Sequence, residues 1–175
     1  MQRSELAHVP RASSAIANET SFVLIGSPAI LLLLDEPPPD LLRSTEIDLY
    51  PALSPEKADL IDGAIGALST FHDTFGYHAD GVAPETASLP ADWMSRAVLS
   101  YIGDITAICP ELHDLTVSKC AAARDKDADY VRTLLHHQLV RLDTLLERIA
   151  LLDSSKHDLA RIIQWTQRRA KEATE

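Results

Sequence analysis

Glu46 and Asp48 lie one residue apart in the run Ser-Thr-Glu-Ile-Asp-Leu-Tyr at 44–50. The run is β-prone, and side chains alternate along a strand, so residues i and i+2 share a face roughly 6.5–7 Å apart. Two carboxylates so spaced suit a pair of Mg²⁺ ions about 4 Å from each other. Mg²⁺ takes only one or two carboxylates and completes its shell with substrate phosphates and water. Ile47 points the other way, toward a core. An acid-x-acid strand is equally what the wet face of an edge strand looks like, and the pair alone does not decide between the two.

A second element sits upstream. Ser21 to Gly26, SFVLIG, reads as a short buried strand that stops at glycine. Ser27-Pro28 then opens AILLLL, with Pro28 suited to the first turn of a helix. A strand that ends in Gly-Ser before a helix lets phosphate approach the main chain closely. Pro28 removes one N–H from such a cradle, and a plain strand-to-helix turn has the same sequence.

The elements around these residues suggest an α/β (α+β) fold: a small mixed sheet with flanking helices, followed by a helical C-terminal half. Residues 4–17 have loose helical spacing, with Pro10 either starting or kinking the helix. The Pro-rich stretch Asp35–Asp40 is a stop, and Glu46–Tyr50 is the second strand. Ser54, Pro55 and Glu56 open a helix over 54–71, with Leu60, Ile61, Ala64, Ile65 and Leu68 as its apolar stripe. Residues 75–82 read as a third, weaker strand and 83–93 as irregular. Trp93 to Ile102 fits helix or strand equally. Asp114 or Thr116 would cap a helix to about Arg124, and Asp125 or Asp127 another to about Gln138. Leu142 to Leu152 and Leu159 to Thr166 repeat at helical spacing. We divide the chain at 1–108, the α/β part, and 109–175, a helical part packed on it as one compact unit.

Composition narrows the function. The chain has 175 residues, 46% hydrophobic and 24% charged, as expected of a globular domain. No apolar run reaches the roughly 18 residues of a membrane span, and no signal peptide is visible. Two cysteines make no disulfide framework, so a cytoplasmic setting is expected. The formal net charge of −10 argues against a general affinity for nucleic acid. Arg161, Arg168, Arg169 and Lys171 make either a local basic patch or a solvated helix end.

Strand, Gly26-Ser27, helix, then Arg43-Ser-Thr-Glu46-Ile-Asp48-Leu resembles the DNA polymerase β-type nucleotidyltransferase superfamily. The resemblance implies that Gly26 and Ser27 hold nucleotide phosphates and that Glu46 and Asp48 ligate Mg²⁺, with Mn²⁺ as substitute. Arg43 would touch phosphate or pair with a carboxylate. Glu46 stands where the family commonly has Asp, and the interval over residues 28–45 is longer than usual. Asp80 is the candidate for the third carboxylate, the base for the incoming hydroxyl, with His78 on the same strand face.

The segment HDLTVSKCAAARDKDADYVRTLL at 113–135 is similar to the small bacterial branch that includes nucleotidyltransferase toxins of type IV toxin–antitoxin pairs. There Lys119, Arg124, Lys126 and Asp127 match. By resemblance Lys119 grips the triphosphate, Arg124 its oxygens, and Asp127 orients or deprotonates an acceptor hydroxyl. From the residues alone, the same segment is a charged helical corner in which Asp127 caps the next helix. The expected activity is Mg²⁺-dependent transfer of a nucleoside monophosphate from a nucleoside triphosphate to an acceptor hydroxyl, with RNA as acceptor and a cognate antitoxin as partner by the toxin likeness. The alternative is a catalytically silent relative that binds a partner protein or a nucleotide. Oligomeric state stays open, since the stripes after Leu142 close either the chain's own core or a dimer.

Overall fold

The computed structural model describes residues 1–174. Met1–Thr86 with Val98–Cys109 form one compact unit, and Ala87–Ala97 with the residues from Pro110 onward form a second.

The first unit is built on a five-stranded mixed sheet. Its elements are α1 (Arg3–Ala17), β1 (Ser21–Leu24), α2 (Ile30–Leu33), β2 (Glu46–Pro51), α3 (Ala58–Ile65), α4 (Thr70–Phe75), β3 (His78–Gly81), β4 (Val98–Ile102) and β5 (Ile105–Cys109). The strand order is β3-β2-β1-β5-β4. β1 runs antiparallel to β2 and parallel to β5, β2 is parallel to β3, and β4 and β5 form an antiparallel hairpin. β1 is the central strand, and Phe22, Val23 and Leu24 are all buried, as a strand with neighbours on both sides requires.

α1 packs on α3, and α3 on β3. A Cβ on Gly81 would fall 2.2 Å from the Ala58 carbonyl oxygen, so only glycine admits the helix this close to the strand. Gly81 shares its strand face with Ala79, which pairs with Ile47. The helix-covered face of β2 and β3 is therefore the apolar one, where Ile47, Leu49 and Ala79 are buried. Glu46, Asp48, His78 and Asp80 lie on the opposite face.

Several local expectations need correction. The helix expected over 54–71 is three pieces: a 3-10 turn at Pro55–Lys57, then α3, then α4 after a break at Gly66–Ser69. Ser69 caps α4 by accepting the His72 N–H at 3.2 Å. The break puts Leu68 in solvent, and Leu60 also faces outward, so the buried stripe reduces to Ile61 and Ile65. The run AILLLL makes only a 3-10 turn at Ser27–Ala29 and the single turn of α2. Trp93 to Ile102 is both things at once, a 3-10 turn at Trp93–Arg96 and then β4. β5 was not anticipated. Pro10 lies within an unbroken α1.

The second unit contains α5 (Leu112–Ala122), α6 (Asp125–His136), α7 (Leu142–Ile149) and α8 (Leu159–Glu172). α5 packs against the other three. Leu115, Val117, Cys120, Val131, Leu134, Leu145, Ile149 and Ile162 fill its core. Glu111, not Asp114 or Thr116, caps α5, accepting the His113 N–H at 3.0 Å. Asp114 is fully buried one turn further on. It receives Arg96 Nε and Nη2 at 2.9 and 3.0 Å, with Arg148 Nε at 3.8 Å. That bidentate pair, together with the Ala91 N–H bond to the Leu151 carbonyl, explains why Ala87–Ala97 belongs to the helical unit. Cys109 and Cys120 are both free and buried, and burial pushes each thiol up to about 12. Trp93 and Trp165 are half-buried, Trp165 lying under the Arg169 guanidinium at 5.1 Å.

Candidate active site

The Gly26-Ser27 turn and the acid strand meet. Pairing of Leu24 with Leu49 continues through an Ile25 N–H bond to the Asp48 carbonyl at 3.1 Å. This carries the next residue, Gly26, directly over the Asp48 side chain. A Cβ on Gly26 would lie 2.5 Å from Asp48 Oδ2, a distance no real side chain tolerates. Any residue other than glycine would thus displace the carboxylate. Sequence spacing could not show this, because the two residues are joined across strands rather than along one.

Glu46 and Asp48 are half-buried and face the same side of β2. In the parallel ladder Glu46 stands opposite His78, and Asp48 opposite Asp80. The four polar residues form a patch two strands wide on the face away from α3. His72 of α4 reaches it, its ring 4.4 Å from that of His78, and the buried Nδ1 of His78 makes no hydrogen bond. His72 was missed in the sequence because its contact depends on the break between α3 and α4. Ser27 is half-buried at the start of the 3-10 turn. Arg43 is largely exposed and pairs with Asp40, three residues earlier.

Among the described residues no three His, Cys, Asp or Glu side chains converge in a ligand set. A site of two carboxylates on one strand fits Mg²⁺, which accepts so few protein ligands when phosphates and water supply the rest. It does not fit a metal that requires a full protein cage.

Lys119, Arg124 and Asp127 form a cluster within the second unit. Lys119 and Asp127 are both buried, at 6% and 1% exposure. Asp127 is the third residue of α6 and accepts the main-chain N–H of Arg124 at 3.2 Å, closing the helix start. Its carboxylate also receives Arg124 Nε at 2.7 Å, with Lys119 Nζ at 3.8 Å. Lys119 Nζ lies 5.6 Å from the centre of the Tyr130 ring, one turn along α6 from Asp127. Tyr130 was not singled out in the sequence, although its place three residues after Asp127 was the available signal.

Comparison with protein families gives the class. A model for a nucleotidyltransferase family matches residues 5–170, nearly the whole chain. The chain belongs to that family, described as nucleotidyltransferase of unknown function (DUF6036). No curated protein and no solved structure matches it significantly. No helix among the described residues is long and apolar enough to cross a membrane.

Proposed function

We propose that this chain transfers a nucleoside monophosphate from a nucleoside triphosphate to an acceptor hydroxyl on the acid face of β2 and β3. One observation carries the reading: Asp48 is seated against Gly26, so a glycine-permitted turn and a strand acid share one small space. Glu46 and Asp48 would hold Mg²⁺, or Mn²⁺ in its place. The ion would neutralise triphosphate charge and stabilise the leaving pyrophosphate. Gly26 lets the main chain approach the phosphates, and the Ser27 hydroxyl offers a hydrogen bond to them. The acceptor oxygen bonds to the α-phosphorus while the bond from that phosphorus to the bridging oxygen breaks. Pyrophosphate departs with the electron pair. The acceptor proton passes to Asp80, the register partner of Asp48.

The finer roles rest on the resemblance to the toxin branch. These are an RNA acceptor, a cognate antitoxin, triphosphate binding by Lys119 and Arg124, orientation of the hydroxyl by Asp127, and a phosphate contact for Arg43. The charge of −10 counts against a broad RNA surface and favours recognition of an RNA end.

The test is incubation with each α-labelled nucleoside triphosphate, Mg²⁺ and total RNA, beside Asp48→Ala. Incorporation that requires Mg²⁺ and is absent in the variant is expected. A parallel thermal shift should show Mg²⁺-dependent stabilisation by the triphosphate, about 2.7 kcal/mol at a hundredfold excess over Kd. No incorporation into RNA or protein with any nucleotide, together with no such shift, overturns the reading. A shift without incorporation leaves a nucleotide-binding relative that is catalytically silent.

A further inference from the structure

We infer that α8 presents a binding surface for single-stranded RNA: a line of cations for the phosphates and, beside it, a cavity for one base. The inference rests on the proposed function only for the choice of RNA among polyanions.

α8 carries four cations and a single acid, Glu172, in a chain whose net charge is −10. Arg161, Gln164, Arg168 and Lys171 are all exposed and recur at i, i+3, i+7 and i+10. That spacing sets them along one face of the helix over about 15 Å. The buried Ile162 and Thr166 mark the opposite face. Glu172 does not neutralise the line. Its carboxylate receives Arg169 Nη2 at 2.9 Å, Arg168 Nε at 3.1 Å and Arg132 Nη1 at 3.4 Å, three guanidinium groups on one negative charge. Among the described residues the Arg161 and Lys171 side chains pair with no carboxylate.

Helix capping explains only one end of this line. Cations in a last turn complement the helix dipole, which covers Arg168, Arg169 and Lys171. Arg161 is the third residue after the Asp158 cap, at the positive end, where a cation is unfavourable. A row of positive charge that runs through both ends of a helix matches a linear polyanion. The acids elsewhere on the chain are screened from it beyond about 8 Å at physiological ionic strength.

The neighbouring cavity selects the kind of polyanion. It has a volume of about 430 Å³ and is lined by Leu142, at the start of α7, and by Gln167, Ala170, Lys171 and Thr174. Lys171 thus belongs to both the cavity and the cation line. Leu142 and Ala170 supply apolar surface, and the Gln167 amide both donates and accepts. Single-stranded RNA offers unstacked bases, with apolar faces and hydrogen-bonding edges, alongside its phosphates. An acidic peptide would use the cations and leave the cavity unfilled. A membrane surface would need apolar side chains turned outward, whereas α8 turns Ile162 inward.

Fluorescence anisotropy with a labelled single-stranded RNA of about 12 nucleotides, without triphosphate or Mg²⁺, tests this over a range of salt. We expect binding whose logarithm falls against the logarithm of salt with a slope of about −2, for three neutralised phosphates. Arg161→Gln, Arg168→Gln and Lys171→Gln together should weaken binding about tenfold or more and flatten the slope, with circular dichroism unchanged. Removing three exposed cations elsewhere, by Arg11→Gln, Arg141→Gln and Lys156→Gln, should do neither. Ala170→Trp fills the cavity and should weaken binding while keeping the slope. No binding at low salt overturns the inference. So does an equal loss in the control variant, or displacement of the RNA by polyglutamate or phosphatidylserine vesicles at matched charge. Because the assay contains no triphosphate, RNA binding without nucleotidyl incorporation rejects the proposed activity and keeps this surface. Incorporation into RNA that the α8 triple variant leaves untouched does the reverse.

Discussion

The molecule has two charged clusters that look alike in sequence and differ in physics. On β2 and β3, Glu46, Asp48 and Asp80 place like charges on one half-buried face. At the start of α6, Asp127 lies between Lys119 and Arg124 in opposite-charge contact and is almost fully buried. Like charges on one face favour a bound cation, which is the role the proposed function gives them. Opposite charges held close and dry support a helix start and a core, and they need no ligand to explain them. The difference teaches that matching a residue pattern is weaker evidence than the sign of the local charge. The β2 cluster is the one to which the proposed function assigns a cation.

The largest expected effects would break this contrast if they failed. Asp48→Ala should abolish nucleotidyl transfer, on the order of a thousandfold or more, while costing less stability than Asp127→Ala, because Asp48 is half-buried and Asp127 almost fully buried. Activity assays beside calorimetry read both. Asp127→Ala should lose about 3 kcal/mol in urea denaturation, because Lys119 is left buried with less neutralising charge. If Asp48→Ala destabilises more than Asp127→Ala, the assignment of the two clusters is inverted.

Part of this was legible beforehand, for physical reasons. β1 and β2 are short β-branched or aromatic runs closed by glycine or proline, and both form where expected. The helical half follows from long apolar periodicity after Leu142. α3 was over-extended because Leu68 continues the spacing, whereas the chain turns at Gly66 and Ser69 starts a new helix. β5 was overlooked because Ile-Thr-Ala-Ile-Cys is too short to separate from a buried helix segment by periodicity. Glu46 and Asp48 could be placed on one face from alternation alone. The contact of Gly26 with Asp48 could not, since it depends on the register of β1 against β2.

Gly26→Val sharpens the comparison from the turn side. The added Cβ falls on Asp48 Oδ2, and the carboxylate must swing away. Transfer should fall about a hundredfold, with a stability loss of about 1–3 kcal/mol from overpacking. Lys119→Met combined with Asp127→Leu tests the other cluster. Apolar residues of similar size should recover most of the stability lost in Asp127→Ala. If the double variant folds and keeps full transfer, the second cluster is purely structural. If it folds and transfer is lost, the cations act on the triphosphate as well.

The smallest expected effect separates both clusters from an ordinary surface pair. Lys57 Nζ lies 2.5 Å from Glu19 Oε1 and also donates to the Ala17 carbonyl, tying the end of α1 to the turn before α3. The hydrogen bond from Lys57, with one from Ser54, holds the Glu19 carboxyl below its ordinary value. A depressed carboxyl contributes stability that is fully present above its unfolded value and is lost as pH falls through the folded one. Glu19→Gln should therefore melt lower than the native chain above about pH 5, and the gap should close on acidification below about pH 4. The contact is partly solvated, so salt should shrink the gap at neutral pH, whereas the Asp127→Ala loss should be far less sensitive to salt. Melting curves at three pH values and two ionic strengths read all of this. Equal salt sensitivity in the two variants would mean that burial does not distinguish the Lys119–Asp127 pair from a surface bridge.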